Sequence, residues 1–155
     1  MDIETVLKEE RLRDLELKAA VTVGPDLALT ETIAKMQHAH TGCAVVLAQG
    51  KVLGIFTERD LVLKVLAKGV DLARPVGEWM TPDPHVLHPH DSVAKAIEVI
   101  NTYGHRSIPL VDEKGEFAGL VSVRAIITFL AEHFPTEVFN LPPRPEILDD
   151  TAEGG

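Results

Sequence analysis

The sequence predicts an α+β fold in which two tandem β-α-β-β-α repeats pack sheet to sheet with approximate twofold symmetry. The first observation is a repeated phrase, because Gly-Ile-Phe-Thr-Glu-Arg-Asp at 54–60 recurs 65 positions later as Gly-Leu-Val-Ser-Val-Arg-Ala at 119–125. The second is that strand-like and helix-like apolar spacing follow each other in the same order around both phrases. The third is size, since a unit of about 55 residues buries too little surface to be comfortably stable alone. We therefore expect two units that share one core.

Composition and charge narrow the class of protein. The chain has 155 residues, of which 45% are hydrophobic, and a formal net charge of −9. Because negative charge repels a phosphate backbone, we expect no nucleic-acid partner. We expect no membrane segment and a cytoplasmic location, since no apolar run approaches the roughly 20 residues of a membrane helix and the charged stretch 1–17 is unlike a signal peptide. A single cysteine, Cys43, excludes an internal disulfide and a multi-cysteine zinc site.

Each repeat is expected to contain a strand, a helix, two strands and a second helix. After the first strand, apolar residues recur at helical spacing, and a glycine-bearing turn then joins two strand-like runs. An aspartate is the expected cap of the first helix in each copy, Asp26 and Asp91. The expected elements are strands at 21–23, 44–48 and 51–56 with a second helix from Asp60, and strands at 86–87, 107–111 and 117–123 with a second helix from Ala125.

These elements divide the chain into five parts. The first repeat is placed at 15–73 and the second at 80–136, joined by a proline- and glycine-bearing linker at 74–79. An N-terminal helix is expected at 1–14. The segment 137–155 is rich in proline and acidic residues, so we expect it to be partly disordered.

The first phrase carries residue types that suit a ribose phosphate. A ribose offers two adjacent hydroxyl donors, and the carboxylate of Asp60 has two oxygens that can accept them. The hydroxyl of Thr57, close to the free N–H groups of a helix N-terminus, suits a phosphate. Gly54 leaves room for a planar base to approach the strand backbone. A purely structural interpretation stays open, in which Asp60 is a helix cap and Thr57 a strand residue.

This pattern resembles a cystathionine β-synthase (CBS) domain pair, also called a Bateman module. Gly54 to Asp60 meets every position of the family signature glycine, apolar, any, Ser/Thr, any, any, Asp/Asn. Met80-Thr81 and the stretch 108–112 are also similar to the family, and the resemblance spans 15–134. It implies a module without catalytic activity that binds AMP, ADP, ATP or a related adenosyl compound in the cleft between the repeats.

The resemblance also implies which residues bind the ligand. The aspartate would bind the ribose hydroxyls, the threonine a phosphate, and apolar side chains with strand backbone the adenine. The implied ligand-binding residues are Thr22, Val23, Cys43, Ala44, Gly54, Ile55, Thr57, Arg59, Asp60, His105 and Arg106, with a second, weaker site at Thr81, Ile108, Pro109 and Ser122.

The two repeats differ at positions that matter for such a ligand. Ala125 stands where Asp60 stands, and hydrogen bonds to a charged group contribute about 1.5 to 3 kcal/mol each. The second cleft is therefore predicted to be empty, weak or adapted to another ligand. His105-Arg106 precedes a strand where the first repeat has Thr41-Gly42. In one family member a His-Arg pair at this place contacts phosphates, so the resemblance implies a phosphate role here. A surface ion pair for the arginine and a turn role for the histidine stay open.

Three further features have simpler explanations that we favour. His85, His88 and His90 are close in sequence, but a proline between two of them hinders convergence on one ion, so we expect no metal site. Cys43 lies in an apolar strand and is expected to be a buried thiol rather than a nucleophile. Trp79 is expected to anchor the linker by packing.

We therefore predict a regulatory module, not an enzyme, for which an adenine nucleotide is the regulatory ligand and no catalytic cofactor is needed. The helix from Leu61 is more apolar than one sheet face requires and the family commonly dimerises through its helices, so we expect a homodimer. A protein regulated in trans is a further expected partner. The alternative is a structural or partner-docking module without nucleotide binding. Arg59 and Arg124 occupy matching positions, and whether either pairs with acids or with a second module stays open.

Overall fold

The structure is a computed structural model that describes residues 2–134 of the chain. Two repeats of strand, helix, strand, strand and helix follow each other, which confirms the expected α+β architecture. The helices are α1 (Ile3–Glu9), α2 (Leu29–His38), α3 (Glu58–Asp60, continued by π-type turns over Leu61–Leu66), α4 (Val93–Tyr103) and α5 (Val123–His133). The strands are β1 (Val21–Val23), β2 (Cys43–Ala48), β3 (Lys51–Thr57), β4 (Thr81–Pro82), β5 (Ser107–Val111) and β6 (Phe117–Ser122).

The strands form one sheet of four and one of two. In the first sheet the order is β1-β2-β3-β4, with β1 parallel to β2 and the other pairs antiparallel. In the second sheet β5 and β6 pair antiparallel. The strand expected at 86–87 is reduced to a single parallel bridge between Leu87 and Leu110. β4, which was not expected, extends the first sheet with residues that lead into the second repeat.

The two hairpin turns contact each other. Gly50 and Gly115 have positive φ angles of 78° and 79°, a conformation that glycine adopts without steric cost. The backbone N–H of Phe117 donates to the carbonyl of Gly50 at 2.8 Å, and Lys51 forms a bridge with Glu116. The repeats therefore meet through equivalent turns, as an approximate twofold axis between them requires.

The segment that precedes each repeat packs on the other repeat. Two 3-10 turns, Leu12–Asp14 and Val76–Glu78, occur 64 positions apart and are held by the same pattern of backbone hydrogen bonds. The earlier turn binds the start of α4 and the later one the start of α2. The bonds are Leu12 N to Asp91 O, Arg13 N to Pro89 O and Val93 N to Glu10 O for the earlier turn, and Val76 N to Leu27 O, Gly77 N to Pro25 O and Leu29 N to Arg74 O for the later one.

The buried apolar side chains form two clusters instead of the single core that was expected. One cluster joins Leu12 and Leu15 to residues of the second repeat such as Ile108. The other holds the first repeat together with Val76, and Trp79 packs against it, as expected of a packing anchor. Because each entry segment crosses to the opposite repeat, each cluster is completed by residues from outside its own repeat.

The face of the first sheet that points away from its helices is covered as well. Ala44 and Phe56 belong to the cluster on the helix side. Cys43, Val45 and Ile55 point the opposite way, because successive side chains along a strand alternate between faces. They are nevertheless only 5%, 0% and 8% exposed. Burial of both faces is what sheet-to-sheet packing of the repeats produces.

The first helix of each repeat begins at a different residue from the one expected. Asp26 does not cap α2, whose N-cap is Ala28 and makes no side-chain hydrogen bond. Asp91 precedes the cap of α4, which is Ser92, and the hydroxyl of Ser92 accepts the N–H of Lys95 at 3.1 Å. Both aspartate predictions are wrong: the N–H of the first residue of each helix donates to a carbonyl of the docked entry segment, and in α4 the capping side chain is that of Ser92. That tertiary contact decides where the helix begins.

The ends of the chain extend beyond this core. α1 ends at Glu9, so it is shorter than the helix expected over 1–14. The tail predicted at 137–155 lies outside the described residues. Within residues 2–134, no helix combines the length and the apolar character needed to cross a membrane.

Candidate functional site

Asp60 is the centre of a hydrogen-bond network at the end of β3, although it is only 5% exposed. One carboxylate oxygen accepts the backbone N–H of Thr57 at 3.0 Å and its hydroxyl at 3.1 Å. The other accepts the hydroxyl of Thr81 at 2.9 Å and lies 3.0 Å from the ammonium of Lys64. A carboxylate has about four lone-pair positions. All of them are therefore in use, and a ribose diol would have to replace two of these donors.

The local sequence builds the core of this network. Thr57 ends β3 and is the N-cap of α3, where its hydroxyl accepts the N–H of Asp60 at 3.2 Å. Asp60 bonds back to the N–H of Thr57, so the two residues form a capping box that satisfies two donors at the helix start. The helix begins at Glu58, two residues before the start expected at Asp60. The cap is the threonine, and the aspartate is its reciprocal partner.

The glycine of the motif is explained by the close approach of β4. A Cβ atom on Gly54 would lie 2.6 Å from the sulfur of Met80 and 2.6 Å from the carbonyl oxygen of Thr81. At this point β4 pairs with β3, with Gly54 opposite Pro82 and Ile55 opposite Thr81. The space that the sequence suggests for a planar base is therefore occupied by the segment that enters the second repeat.

Two members of this network were not expected here. Thr81 is assigned by sequence to the second site, whereas its hydroxyl bonds Asp60 in the first. Lys64 is absent from the expected set, and it also donates to Thr81 at 3.2 Å. The signal that could have found it is a single cation, four positions after the aspartate, in the apolar run 61–66. Residues four apart lie on one face of a helix.

The second repeat copies the backbone of this site without its charges. Ser122 caps α5 and accepts the N–H of Ala125 at 3.1 Å, as the threonine of the first repeat does for Asp60. The methyl group of Ala125 cannot accept the backbone N–H of Ser122, as the Asp60 carboxylate accepts that of Thr57. Phe129 and Leu17 stand where the first site has its lysine and its second threonine, and both pack in the cluster of the second repeat. A polar triad in one repeat is thus apolar in the other.

Cys43 lies beside the Asp60 network on β2. It is opposite Thr57 in the β2–β3 ladder and is 5% exposed, which confirms that the thiol is buried. Burial raises the pKa of this thiol to about 12, and the negative charge of Asp60 contributes to the increase. Because only the thiolate is nucleophilic, the group is unreactive at neutral pH.

His105 and Arg106 lie before β5 in separate surroundings. Nε2 of His105 lies 2.8 Å from Nδ1 of His85, and Tyr103 stacks on His85 with ring centroids 3.9 Å apart. Burial lowers the pKa of His105, and the neighbouring His85 lowers it further. Arg106 is exposed and makes no ion pair with any described residue. No hydrogen bond within residues 2–134 joins either side chain to Asp60.

The remaining expected residues lie on the strands around these groups. The strand register places Thr22 opposite Val45, the neighbour of Ala44 on β2. It places Ser122 opposite Ser107, at the start of α5. Thr22 and Arg59 are exposed, Ser122 is half-buried, and Val23, Ala44, Ile55, Ile108 and Pro109 are buried.

The histidines near the second repeat's entry fall into two groups. His85 joins His105, whereas the donor atoms of His88, His90 and Glu113 lie within 4.8 Å of one another. Nδ1 of His88 accepts the backbone N–H of His90 at 3.0 Å, which leaves the proton of neutral His88 on Nε2, 3.3 Å from the Glu113 carboxylate. If a metal bound Nε2 of His88, the proton would have to move to Nδ1, where it would face the backbone N–H of His90. The geometry favours a hydrogen-bonded pair over a metal site.

A cavity of about 370 Å³ lies beside Ala125. Leu15 and Phe129 contribute apolar surface to it, and its lining includes the carboxylates of Glu10, Asp14, Glu16 and Glu132. Negative charge of this density opposes a phosphate. A more open cavity of about 470 Å³ lies beside Thr22, with Lys35 and His38 in its lining.

Known proteins match both halves of the chain. A family model described as the CBS domain matches residues 12–67 and 76–132. An uncharacterised 17.7 kDa protein of Acidianus ambivalens is 31% identical over 111 residues, which are 71% of this chain and 66% of that protein. The inosine-5′-monophosphate dehydrogenase of Aquifex aeolicus is 32% identical over 109 residues, which are 69% of this chain and 22% of the dehydrogenase. The chain thus spans less than two thirds of the length of both relatives.

Solved structures show the same fold. The CBS-domain containing protein ATU1752 of Agrobacterium tumefaciens is 31% identical, with a TM-score of 0.67 over 77% of this chain and 97% of that one. A CBS domain protein of Pyrobaculum aerophilum, complexed with AMP, is 24% identical with a TM-score of 0.69 over 79% and 98% of the two chains. The CBS domain pair of protein MJ0100, complexed with 5′-methylthioadenosine and S-adenosyl-L-methionine, is 21% identical with a TM-score of 0.70 over 77% and 98%.

Proposed function

The chain belongs to the CBS domain family, and on that premise we propose that it is a regulatory module that binds one adenosine nucleotide beside Asp60. The nucleotide acts as a regulatory ligand, and the role requires no catalytic cofactor. Two proteins of the same fold hold adenosyl compounds, AMP in one and 5′-methylthioadenosine with S-adenosyl-L-methionine in the other, which supports this ligand class.

The buried carboxylate of Asp60 carries the proposal. Burying a charge is costly unless hydrogen bonds compensate for it. The second repeat builds the same strand, turn and helix with Ala125, Phe129 and Leu17 at the corresponding positions. The fold therefore does not require the charged network of the first repeat. A charge that the fold does not require, placed at a helix start and equipped with two oxygens, suits a ribose diol.

Positive charge for the phosphate is proposed to come from Arg106. Its guanidinium is exposed and has no ion-pair partner among the described residues, so it is available to an anion. A guanidinium binds phosphate oxygens in a bidentate manner. The second cleft lacks the ribose acceptor at Ala125, and carboxylates line the cavity beside it. We therefore propose one nucleotide per chain.

The proposed output is a change in geometry between the repeats. Asp60 lies on the first repeat, and Thr81 belongs to the segment that enters the second. A ligand that replaces this hydrogen bond binds more tightly to the arrangement in which Thr81 and Asp60 are separated than to the arrangement in which they are bonded. Such a difference in affinity shifts a conformational equilibrium. A cytoplasmic protein regulated in trans is the proposed recipient of the signal.

A homodimer is part of the proposal. Val62 and Leu66 on the helical segment after Asp60 are 53% and 57% exposed, and Ile127, which stands at the position equivalent to Val62, is 46% exposed. Apolar groups at equivalent positions of both repeats form a surface suited to a second copy. Light scattering at micromolar concentration should give the dimer mass, and a monomer at that concentration would refute this part.

Calorimetry with AMP, ADP, ATP, NADH and S-adenosylmethionine tests the central claim. We expect saturable binding of at least one compound with one site per chain, and loss of most affinity in Asp60→Ala. Asp26→Ala is the matched control, because it removes an exposed carboxylate in the first repeat that does not cap α2. Binding that persists in Asp60→Ala would place the ligand elsewhere.

One observation favours the alternative of a docking module without nucleotide. Every acceptor position of Asp60 is already satisfied within the protein, so the network is complete without a ligand. Under that alternative the whole panel gives flat titrations, and Asp60→Ala changes stability alone.

A further inference from the structure

Lys64 is the one cation in the apolar run Leu61–Leu66, and its ammonium contacts the Asp60 network. It lies 3.0 Å from a carboxylate oxygen of Asp60 and 3.2 Å from the hydroxyl of Thr81. Because the Thr81 hydroxyl donates to the same carboxylate oxygen at 2.9 Å, the three groups form a closed triangle. This triangle joins the helix after β3 to β4.

The triangle is not needed for the architecture around it. The second repeat places Phe129 at the position equivalent to Lys64 and packs that ring into its core at 7% exposure. The Lys64 side chain is 38% exposed, so its ammonium gains little from the ion pair, because solvent screens the charge. The contact with the Asp60 carboxylate, and not the packing of the helix, therefore explains the lysine at this position.

The donors on Asp60 differ in how readily they can leave. The bond from the Thr57 N–H belongs to the capping box, and the bond from the Thr57 hydroxyl comes from a short side chain fixed at the same helix start. The ammonium of Lys64 sits at the end of a flexible side chain, and water solvates it as soon as it moves outward. When a ribose hydroxyl approaches the carboxylate, the lysine is the donor with the lowest cost of departure.

We propose that Lys64 is an internal placeholder for the ribose: its ammonium occupies the carboxylate position that a ribose hydroxyl uses, and the ligand must displace it. This inference rests on the proposed nucleotide site. The placeholder keeps the buried carboxylate satisfied in the free protein, opposes binding of the ribose to that carboxylate, and releases a cation beside the site when the ligand binds. Displacement of the ammonium also breaks the two sides of the triangle that Lys64 forms, with Asp60 and with Thr81, which loosens β4 from the first repeat.

Adenosine is the probe for the test, because it carries the ribose without a phosphate that the released cation could attract. We expect Lys64→Met, which keeps an unbranched side chain as far as the ε position and removes the terminal ammonium, to bind adenosine about three- to tenfold more tightly than the parent protein. Lys68→Met is the matched control, since Lys68 is exposed two residues beyond the π-type turns, and its affinity should equal that of the parent.

The outcomes separate this inference from the function on which it rests. Adenosine binding to the parent with equal or weaker binding to Lys64→Met overturns the placeholder and leaves the nucleotide site in place. Failure of adenosine and of AMP, ADP and ATP to bind either protein overturns both. Binding to Lys64→Met alone supports both, because the lysine then blocks the site outright.

Lysine acetylation followed by mass spectrometry tests the same point in the unmodified protein and does not depend on the folding of a variant. Lys64 should react more slowly than Lys68 in the free protein, and saturation with adenosine should raise its rate toward that of Lys68. An unchanged or slower rate for Lys64 in the saturated protein would show that the ammonium stays on the carboxylate, and would overturn the placeholder.

Discussion

The Asp60 network makes a quantitative prediction for stability that is independent of any ligand. Asp60→Ala removes bonds from the Thr57 N–H and the Thr81 hydroxyl to a carboxylate that is 5% exposed. Each hydrogen bond to a charged group is worth about 1.5 to 3 kcal/mol. We discount the ion pair with Lys64, which is 38% exposed. Relief of the cost of burying the charge offsets part of the loss. We expect the free energy of unfolding to fall by about 3 kcal/mol.

Urea denaturation followed by far-ultraviolet circular dichroism measures this change, with the slope of the transition compared between variants to confirm that both unfold alike. Asp26→Ala, which removes a carboxylate that caps no helix, should stay within about 0.5 kcal/mol of the parent. The reasoning fails if Asp60→Ala costs less than about 1 kcal/mol, because the carboxylate would then not hold the bonds that the structure gives it.

Three further results are expected. Gly54→Ala should lower the free energy of unfolding by about 1 to 3 kcal/mol, because its Cβ would lie 2.6 Å from a carbonyl oxygen of β4; a neutral effect in thermal unfolding would contradict that pairing. Cys43, with its pKa near 12, should react with iodoacetamide far more slowly than a free thiol at pH 8, and faster in Asp60→Asn, which removes the second cause of the raised pKa. Burial lowers the pKa of His105 and His85 lowers it further, so the folded form resists protonation. This contribution to stability is present above the ordinary pKa of 6.5 and is lost as the pH falls through the lowered pKa. His85→Gln removes the smaller of the two causes and should reduce the pH dependence of thermal unfolding without abolishing it; a profile identical to that of the parent would refute this.

Local patterns were sufficient for the elements, and insufficient for their boundaries. The repeated phrase placed both second helices within two residues of their observed starts at Glu58 and Val123. Asp26 and Asp91 suit a cap by residue type, but carbonyls of the docked entry segments bind the helix starts and set them elsewhere. A cap preference of about 1 kcal/mol is smaller than the sum of several such tertiary contacts.

In the site as well, local sequence predicts some contacts and tertiary structure decides the others. Thr57 and Asp60 are the first and last positions of a capping box, a local structure whose spacing alone brings the two side chains together. The sequence alone places Thr81 with the second site, whereas its hydrogen bond to Asp60 depends on β4 crossing back to pair with β3. Lys64 was missed because a lone lysine on a helix is ordinarily solvated, and only the fold shows which carboxylate it meets.

The sequence by itself determined that the chain is a pair of CBS repeats, that one repeat keeps the acidic motif and that the other replaces it with Ala125. These facts depend on residue identity and short spacing. Residue identity determines side-chain chemistry, and short spacing determines local backbone structure. Only the tertiary structure decided that each entry segment completes the opposite core, and that Asp60, Lys64 and Thr81 share one network. The reason is that contacts between residues far apart in the chain depend on where strands cross, and no local pattern encodes the crossing.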